Sequence, residues 1–302
     1  LAADDELLGH LDELGLERRL EGGQVSLPAR LELLDRAAIL ASVSSAVRPE
    51  LEVLWQVGST NTFLMERLQD DSEADSCHGL ACLAEQQTAG RGRRGRTWVS
   101  PFGRNIYLSL CWLMRGGPSQ LEGLSLVVGM VVVEALRSLG AQGVGLKWPN
   151  DLLLVEEGEV LANRKLGGIL LEMGAPQPDA VGVVIGIGLN LALSDADAAQ
   201  IDQPHAVLAD VADVSRNALA GRLLTGLLDM LPAFSERGFG AFREAWPEFD
   251  VYRGQPVELL VGQRRVQGIN AGVDQTGNLL LQTDRGVATY NAGEVSLRAS
   301  SP

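Results

Sequence analysis

The chain has 302 residues, 46% of them hydrophobic and 21% charged, and carries a formal charge of −14. That is enough apolar material for a substantial core and two or three domains, in the composition of an ordinary soluble globular protein. The longest apolar run, residues 124–133, falls well short of the roughly 18 residues a membrane span needs and is flanked by Glu122 and Glu134, so no membrane association is expected.

No basic stretch followed by an apolar one opens the sequence, so no secretion signal is expected and the expected compartment is the cytoplasm. Cys77, Cys82 and Cys111 lack metal-ligand spacing and read as core thiols. His10, His78 and His205 are scattered singly, so neither a zinc site nor a histidine-based triad can be assembled from local sequence.

Residues 2–14 read as a short helix, followed by a hairpin turning at Gly22 and Gly23. A helix and a small hairpin resemble the second half of a winged helix-turn-helix. Yet Asp4, Asp5, Glu6, Asp12, Glu13, Glu17 and Glu21 outnumber Arg18 and Arg19, and that face would repel phosphates, so DNA is not expected as a partner. An amphipathic helix is expected from Leu31 over "LELLDRAAILASV". From Leu51 to about Asp250, strand-like and helix-like segments alternate: "LEVLWQV", a helix opening after Ser59-Thr60-Asn61, "GLACLAEQ", "NIYLSLCWL", a long apolar helix over residues 121–139, "GVGLKW", "KLGGILLEM", "VGVVIGIGLNL", and helices over residues 219–231 and 239–246. This texture is that of one α/β or α+β domain. After Asp250 come short, evenly spaced strands separated by Gly, Asp and Asn, which suggest a small closed or nearly closed barrel, SH3-like in size. The expected division is a winged-helix remnant with linker helix (1–48), a catalytic domain (49–250) and a barrel (251–302).

Two features stand out against the acidic background. "AGRGRRGRTW" places Arg91, Arg93, Arg94 and Arg96 within six residues, interleaved with Gly90, Gly92 and Gly95. The G-x-G-x-x-G spacing is not followed by a helix or by an acidic residue near position 110, which argues against a dinucleotide fold, and no Gly-Lys-Ser/Thr completes a Walker A loop. A nucleic-acid tract of RGG type is the bland alternative. Four like charges on a glycine-rich backbone predict a loop that is mobile until a buried anion orders it. The second feature is lysine. Of 25 basic residues only Lys147 and Lys165 are lysine, both inside Gly/Asn/Asp-rich motifs, as expected where a slim point charge must reach a carboxylate or phosphate oxygen in a narrow site.

"STN" (59–61), "QTAGRGRRGRTW" (87–98), "NIYLS" (105–109), "KWPND" (147–151), "KLGGILLE" (165–172) and "IGIGLN" (185–190) resemble, in that order, the motifs of the biotin protein ligases, and "PVELLVG…GEVSLR" resembles that family's small C-terminal barrel. The resemblance implies an α+β (α/β) fold with a central mixed-sheet catalytic domain of class II synthetase/biotin ligase type, an SH3-like barrel and an N-terminal winged-helix remnant. It implies biotin, ATP and Mg2+, a biotin carboxyl carrier protein as acceptor, and a homodimer. Ser59, Thr60, Asn61, Gln87, Arg91, Gly92, Arg93, Lys165, Gly168 and Gly188 would bind biotin. Arg91, Arg93, Arg94, Arg96, Trp98, Lys147, Asn150 and Asn190 would bind ATP or the adenylate. Lys165 and Arg93 would be catalytic, with Asp151 orienting Mg2+ or the incoming amine. Ser59 could also cap the helix that follows it, and Trp98 would either flank adenine or pin the loop by packing. A lipoate or octanoate ligase of related fold is the alternative enzyme, which the polar set Ser59, Asn61 and Gln87 argues against. A DNA-binding repressor is the non-enzyme alternative.

Overall fold

The structure, a computed structural model, describes residues 4–28, 31–70, 75–156, 159–174, 179–262, 264–292 and 295–299. Ala2 and Ala3 of the expected first helix and Glu294 of the expected last strand lie outside the described residues. Helix α1 (Asp5–Glu13) starts after Asp4, whose carboxylate accepts the Leu7 amide at 2.8 Å. Strands β1 (Arg19–Glu21) and β2 (Gln24–Ser26) pair antiparallel across Gly22 and Gly23, both at positive φ. Leu14 and Leu16 pack on Phe102, which fastens this helix and hairpin to the central unit. The helix expected from Leu31 begins only at α2 (Arg36–Ser42), because Asp35 takes the capping position and its side chain accepts the Ala38 amide.

The large sheet holds β3 (Glu50–Val57), β4 (Leu80–Gln87), β5 (Ile106–Arg115), β6 (Val144–Lys147), β7 (Asp151–Glu156), β8 (Glu159–Met173) and β9 (Ala180–Leu189), in the order β3-β4-β5-β9-β8-β7-β6. Only β3 and β4 run parallel, joined through α3 (Thr60–Gln69), so the sheet is mixed. β4, β5 and β9 are nearly continuous apolar runs because both of their faces are covered. On one face α3 closes a small core of Leu64, Leu68, Val184 and the three cysteines. Burial pushes the Cys82 thiol up to about 12 and raises Cys111 as well, so these behave as inert packing groups.

The other face is covered by α2, α4 (Leu124–Ser138) and, after the single-turn α5 (Asp195–Ala198), by the long α6 (Arg216–Arg237). The helical stretch Pro118–Ser138 is long and apolar enough to cross a membrane by length and composition, yet 56% of its most apolar window is buried inside the protein. It is an interior helix, apolar on all sides because both the sheet and α6 press on it. The helix expected over residues 239–246 is instead two 3₁₀ turns, Phe239–Ala241 and Trp246–Glu248, since Gly238 and Gly240 weaken one end and Pro247 disfavours helical backbone before it.

The last strands, β10 (Pro256–Val261), β11 (Arg264–Val273), β12 (Leu279–Thr283), β13 (Gly286–Tyr290) and β14 (Val295–Ala299), form an antiparallel sheet in the order β13-β12-β11-β10-β14. This unit is braced on β6: Leu146 donates to the Phe249 carbonyl at 2.7 Å, Val251 donates back to Leu146 at 3.0 Å, and the buried Trp148 indole donates to the Gly277 carbonyl at 3.0 Å.

Candidate active site

The N-terminus of α3, the end of β4, the glycine-arginine loop, the β6–β7 connection and the middles of β8 and β9 converge on a cleft enclosing about 980 Å³, mouth included. Its wall contains Ser59, Thr60, Asn61, Gln87, Arg91, Gly92, Arg93, Arg94, Arg96, Trp98, Lys147, Asn150, Asp151, Lys165, Gly168 and Gly188. Of the residues singled out in the sequence, only Asn190 falls outside it. Asn190 is buried, donates from Nδ2 to the Ala206 carbonyl at 3.4 Å, and lines an adjoining open cavity of about 1370 Å³, mouth included, with Gln200 and His205. Arg96, Thr97, Trp98, Lys165 and Gln203 border both spaces.

The two lysines meet at one carboxylate. β6 and β7 pair Lys147 with Asp151, and Lys147 Nζ lies 2.8 Å from Asp151 Oδ2 while Lys165 Nζ lies 2.7 Å from Oδ1. Burial disfavours the ionised Asp151, but the two ammoniums outweigh it and hold its pKa below the ordinary value. Lys165 and Gly168 stand three apart and would face opposite sides of a regular strand. A register shift between β7 and β8 at Leu152/Leu153 re-aims them, so both face the cleft while Leu166 and Ile169 enter the core. The Lys165 backbone is fixed on the other side as well, its amide donating to Pro204 at 3.0 Å and its carbonyl accepting from Ala206 at 2.9 Å.

The arginine loop carries hydrogen bonds of its own. Arg91 bridges Thr97, the Gly92 amide donates to Arg96 at 2.8 Å, and the Trp98 amide donates to Gly90 at 2.9 Å. The expected mutual repulsion is relieved by dispersal. Arg91 pairs with Glu172 at 2.7 Å, and Arg93 donates to Asn150 Oδ1 at 2.9 Å and to the Ala292 carbonyl of the C-terminal sheet. Arg94 and Arg96 stay exposed, with Arg94 in the left-handed region at φ 59°. Burial first, then the like charges of Arg94 and Arg96, lower the pKa of Arg93. Asn150 is itself spent on the protein, donating from Nδ2 to Ile169 at 2.8 Å. Trp98 lies over the glycines: a Cβ on Gly188 would stand 2.7 Å from its Cε2, one on Gly168 would stand 3.6 Å from its Cζ3, and Lys165 Nζ is 5.5 Å from the ring centroid. Its indole N–H is buried with no hydrogen-bond partner among the described residues.

The polar wall behaves differently from a capping motif. Ser59 occupies the N-cap position of α3 but makes no side-chain capping bond; the Thr60 amide instead donates to Gln87 Oε1 at 2.9 Å. Behind this wall stand three residues that were given no role from sequence, although Ser109 and Glu172 end two of the quoted motifs. Ser109 binds Asn61 Oδ1 at 2.6 Å and Thr60 Oγ1 at 2.8 Å, Ser100 accepts from Gln87 Nε2 at 3.0 Å, and Glu172 accepts from Asn61 Nδ2 at 2.9 Å. A signal existed for two of them, because Ser109 and Glu172 are polar residues inside otherwise apolar strands, and Glu172 is an even number of positions from Gly168.

The expectation of Mg2+ beside Asp151 meets a poor donor set. Among the described residues, Asp151 is the one carboxylate in the wall of the cleft, both of its oxygens are on ammonium groups, and no group of three His, Cys, Asp or Glu suited to a metal occurs. A hard cation that needs several oxygen ligands does not fit a protein-held position there.

Comparison with known proteins gives a consistent result. Residues 54–190 match the model of the biotin/lipoate A/B protein ligase family, and residues 253–298 match that of the biotin protein ligase C-terminal domain. The chain is 39% identical over 280 residues to the bifunctional ligase/repressor BirA of Escherichia coli (strain K12), covering 92% of this chain and 83% of that protein. It is 34% identical over 260 residues to the biotin--[acetyl-CoA-carboxylase] ligase of Mycobacterium tuberculosis (strain ATCC 25618 / H37Rv), covering 82% and 88%. The solved biotin protein ligase from Aquifex aeolicus in complex with biotin and ATP superposes with a TM-score of 0.66 at 30% identity, covering 83% of this chain and 99% of that one.

Proposed function

This chain belongs to the biotin protein ligase family, and on that premise we propose that it activates biotin with ATP and transfers the biotinyl group to a lysine of a biotin carboxyl carrier protein. In the first step a biotin carboxylate oxygen bonds to the α-phosphorus of ATP and the bond to the β-phosphate oxygen breaks, giving biotinyl-5'-adenylate and diphosphate. In the second, the neutral amine of the carrier lysine attacks the acyl carbon, AMP leaves, and the amine proton goes to solvent.

The observation that carries the reading is two adjoining cavities that meet at Lys165 and Trp98, one with a neutral polar side at Ser59, Thr60, Asn61 and Gln87 facing a cationic one, the other lined by Asn190, Gln200 and His205. The acyl group sits in the first, where Ser59, Asn61 and Gln87 offer hydrogen bonds to a ureido ring beside the Trp98 indole that packs over Gly168 and Gly188. The nucleotide sits in the second. Lys165, held by Asp151, neutralises the charge that builds where carboxylate meets phosphate. The unpaired indole N–H of Trp98 is a spare donor at the boundary. Arg91 and Arg93 close over the adenylate and keep water from it. A divalent cation accompanying the nucleotide would supply further charge neutralisation, both oxygens of Asp151 being already taken by the two lysines.

The proposal does not extend to transcriptional repression, since α1 presents exposed Asp4, Asp5 and Glu6. A cytoplasmic homodimer belongs to the same reading and rests on resemblance. Exchange of labelled diphosphate into ATP tests the first step: the expected result is exchange that depends on biotin and not on lipoate, and lipoate-driven exchange of equal efficiency would replace the substrate.

A further inference from the structure

The two stems of the arginine loop are joined through the wall of the cleft by an unbroken path of hydrogen bonds. Arg91 donates to Glu172 Oε2 at 2.7 Å. The same oxygen accepts from Asn61 Nδ2 at 2.9 Å, and the second hydrogen of Nδ2 goes to the Leu170 carbonyl at 3.3 Å. Ser109 donates to Asn61 Oδ1 at 2.6 Å and lies 2.8 Å from Thr60 Oγ1; the Thr60 amide donates to Gln87 Oε1 at 2.9 Å. Gln87 Nε2 donates to Ser100 Oγ at 3.0 Å, and Ser100 donates to the Trp98 carbonyl at 3.0 Å, which returns the path to the loop.

Glu172 is the one charged acceptor in this circuit, and it stands behind the cleft rather than in its wall. An ionised carboxylate only accepts. It therefore dictates the orientation of the Asn61 amide, with Nδ2 toward Glu172 and Oδ1 toward Ser109 and the cleft. Both Nδ2 hydrogens are then consumed by the protein. What Asn61 has left for a ligand is a lone pair on Oδ1, so it can only receive a hydrogen. Gly186 makes this placement possible, because a Cβ there would overlap Asn61 Oδ1.

We propose that Glu172 is a positioning residue that sets acyl-substrate selectivity: by fixing Asn61 as an acceptor and holding Arg91 on the same oxygen, it favours acids that carry an N–H at that point over acids that carry none. This rests on the proposed biotin ligation and sharpens it. Loss of the carboxylate lets the Asn61 amide rotate while leaving Arg91 free to reach the adenylate, so the cost falls on the acyl substrate more than on the nucleotide.

The test is diphosphate exchange on the whole chain, with KM measured separately for biotin and for ATP in Glu172→Ala, Glu172→Asp and Glu172→Gln. Glu172→Ala is expected to raise the biotin KM by roughly tenfold, the scale of one charge-assisted hydrogen bond, with the ATP KM within about twofold. Glu172→Gln retains an acceptor oxygen for Asn61 and is expected to recover the biotin KM to within about threefold of the parent. Should the alanine variant not fold, Glu172→Asp carries the same split, its shorter side chain withdrawing from both partners. A biotin KM unchanged in Glu172→Ala or Glu172→Asp, an equal rise in both KM values, or a Gln variant as impaired as Ala overturns the positioning role. Absence of biotin-dependent exchange in the parent would instead overturn the function it rests on.

Discussion

Replacing Lys165 with arginine keeps the positive charge and changes only its shape, which makes it a direct test of why lysine is retained there. Lys165 Nζ sits 2.7 Å from Asp151 Oδ1, beneath Trp98 and 3.5 Å from where a Cβ on Gly168 would lie. A planar guanidinium is longer and broader than an ammonium, so it cannot keep the Asp151 contact and also face the reacting oxygens without displacing the Trp98 ring. Losing one charge-assisted hydrogen bond costs about 1.5 to 3 kcal/mol, a factor of roughly 10 to 150 in rate. Lys165→Ala, which removes the charge altogether, should lose on the order of 100-fold to 1000-fold. Asp151 keeps Lys147 at 2.8 Å in either variant, so the fold should survive. Biotin-dependent diphosphate exchange is the assay, with thermal unfolding as the folding control. If Lys165→Arg exchanges within about threefold of the parent, the site is not narrow and the argument from ammonium shape is wrong.

Arg93→Gly removes the contacts to Asn150 and Ala292 that tie the loop to the β6–β7 connection and the C-terminal sheet. Adenylate should then escape and acylate bystander lysines on an added protein, whereas labelling confined to the carrier protein would deny the loop a lid role. Gly188→Ala puts a Cβ 2.7 Å from Trp98 Cε2 and should force the indole aside, raising the KM for biotin and for ATP together because Trp98 borders both cavities; unchanged values for both would place the ring outside the working site. Asp250 is buried, with Asn270 at 2.9 Å, and burial raises its pKa. A raised acid pKa in the folded state means stability is lost as pH climbs through it. The difference in Tm between Asp250→Asn and the parent should therefore move in favour of the variant from about pH 4 to about pH 8, and a flat or opposite trend would contradict the buried-carboxylate assignment.

Much of the architecture is written locally. The apolar runs of β4, β5 and β9 and the amphipathic strands after Asp250 are visible because burial on one or both faces imposes its period on the residues. The cleft residues were legible because their glycines, arginines and lysines depart so sharply from the rest of the chain. Partnerships were not. That Lys147 and Lys165 share Asp151 depends on the β6–β7 register and on an irregularity in β8, neither of which local pattern encodes. Glu172 and Ser109 reach Asn61 from strands 111 and 48 positions away in sequence. The two misplaced helices failed for local reasons, Asp35 capping one late and Pro247 interrupting the other.

The concentration of both lysines on Asp151 bears on the hazard of the reaction itself. Acyl phosphates react with free amines and leave guanidinium groups alone. A chain whose other 23 basic side chains are arginine, and whose two side-chain amines both lie within 2.8 Å of one carboxylate, offers a stray activated acid few free amines to modify. Under the proposed reaction, such a chain would hold its activated intermediate turnover after turnover without scarring its own surface.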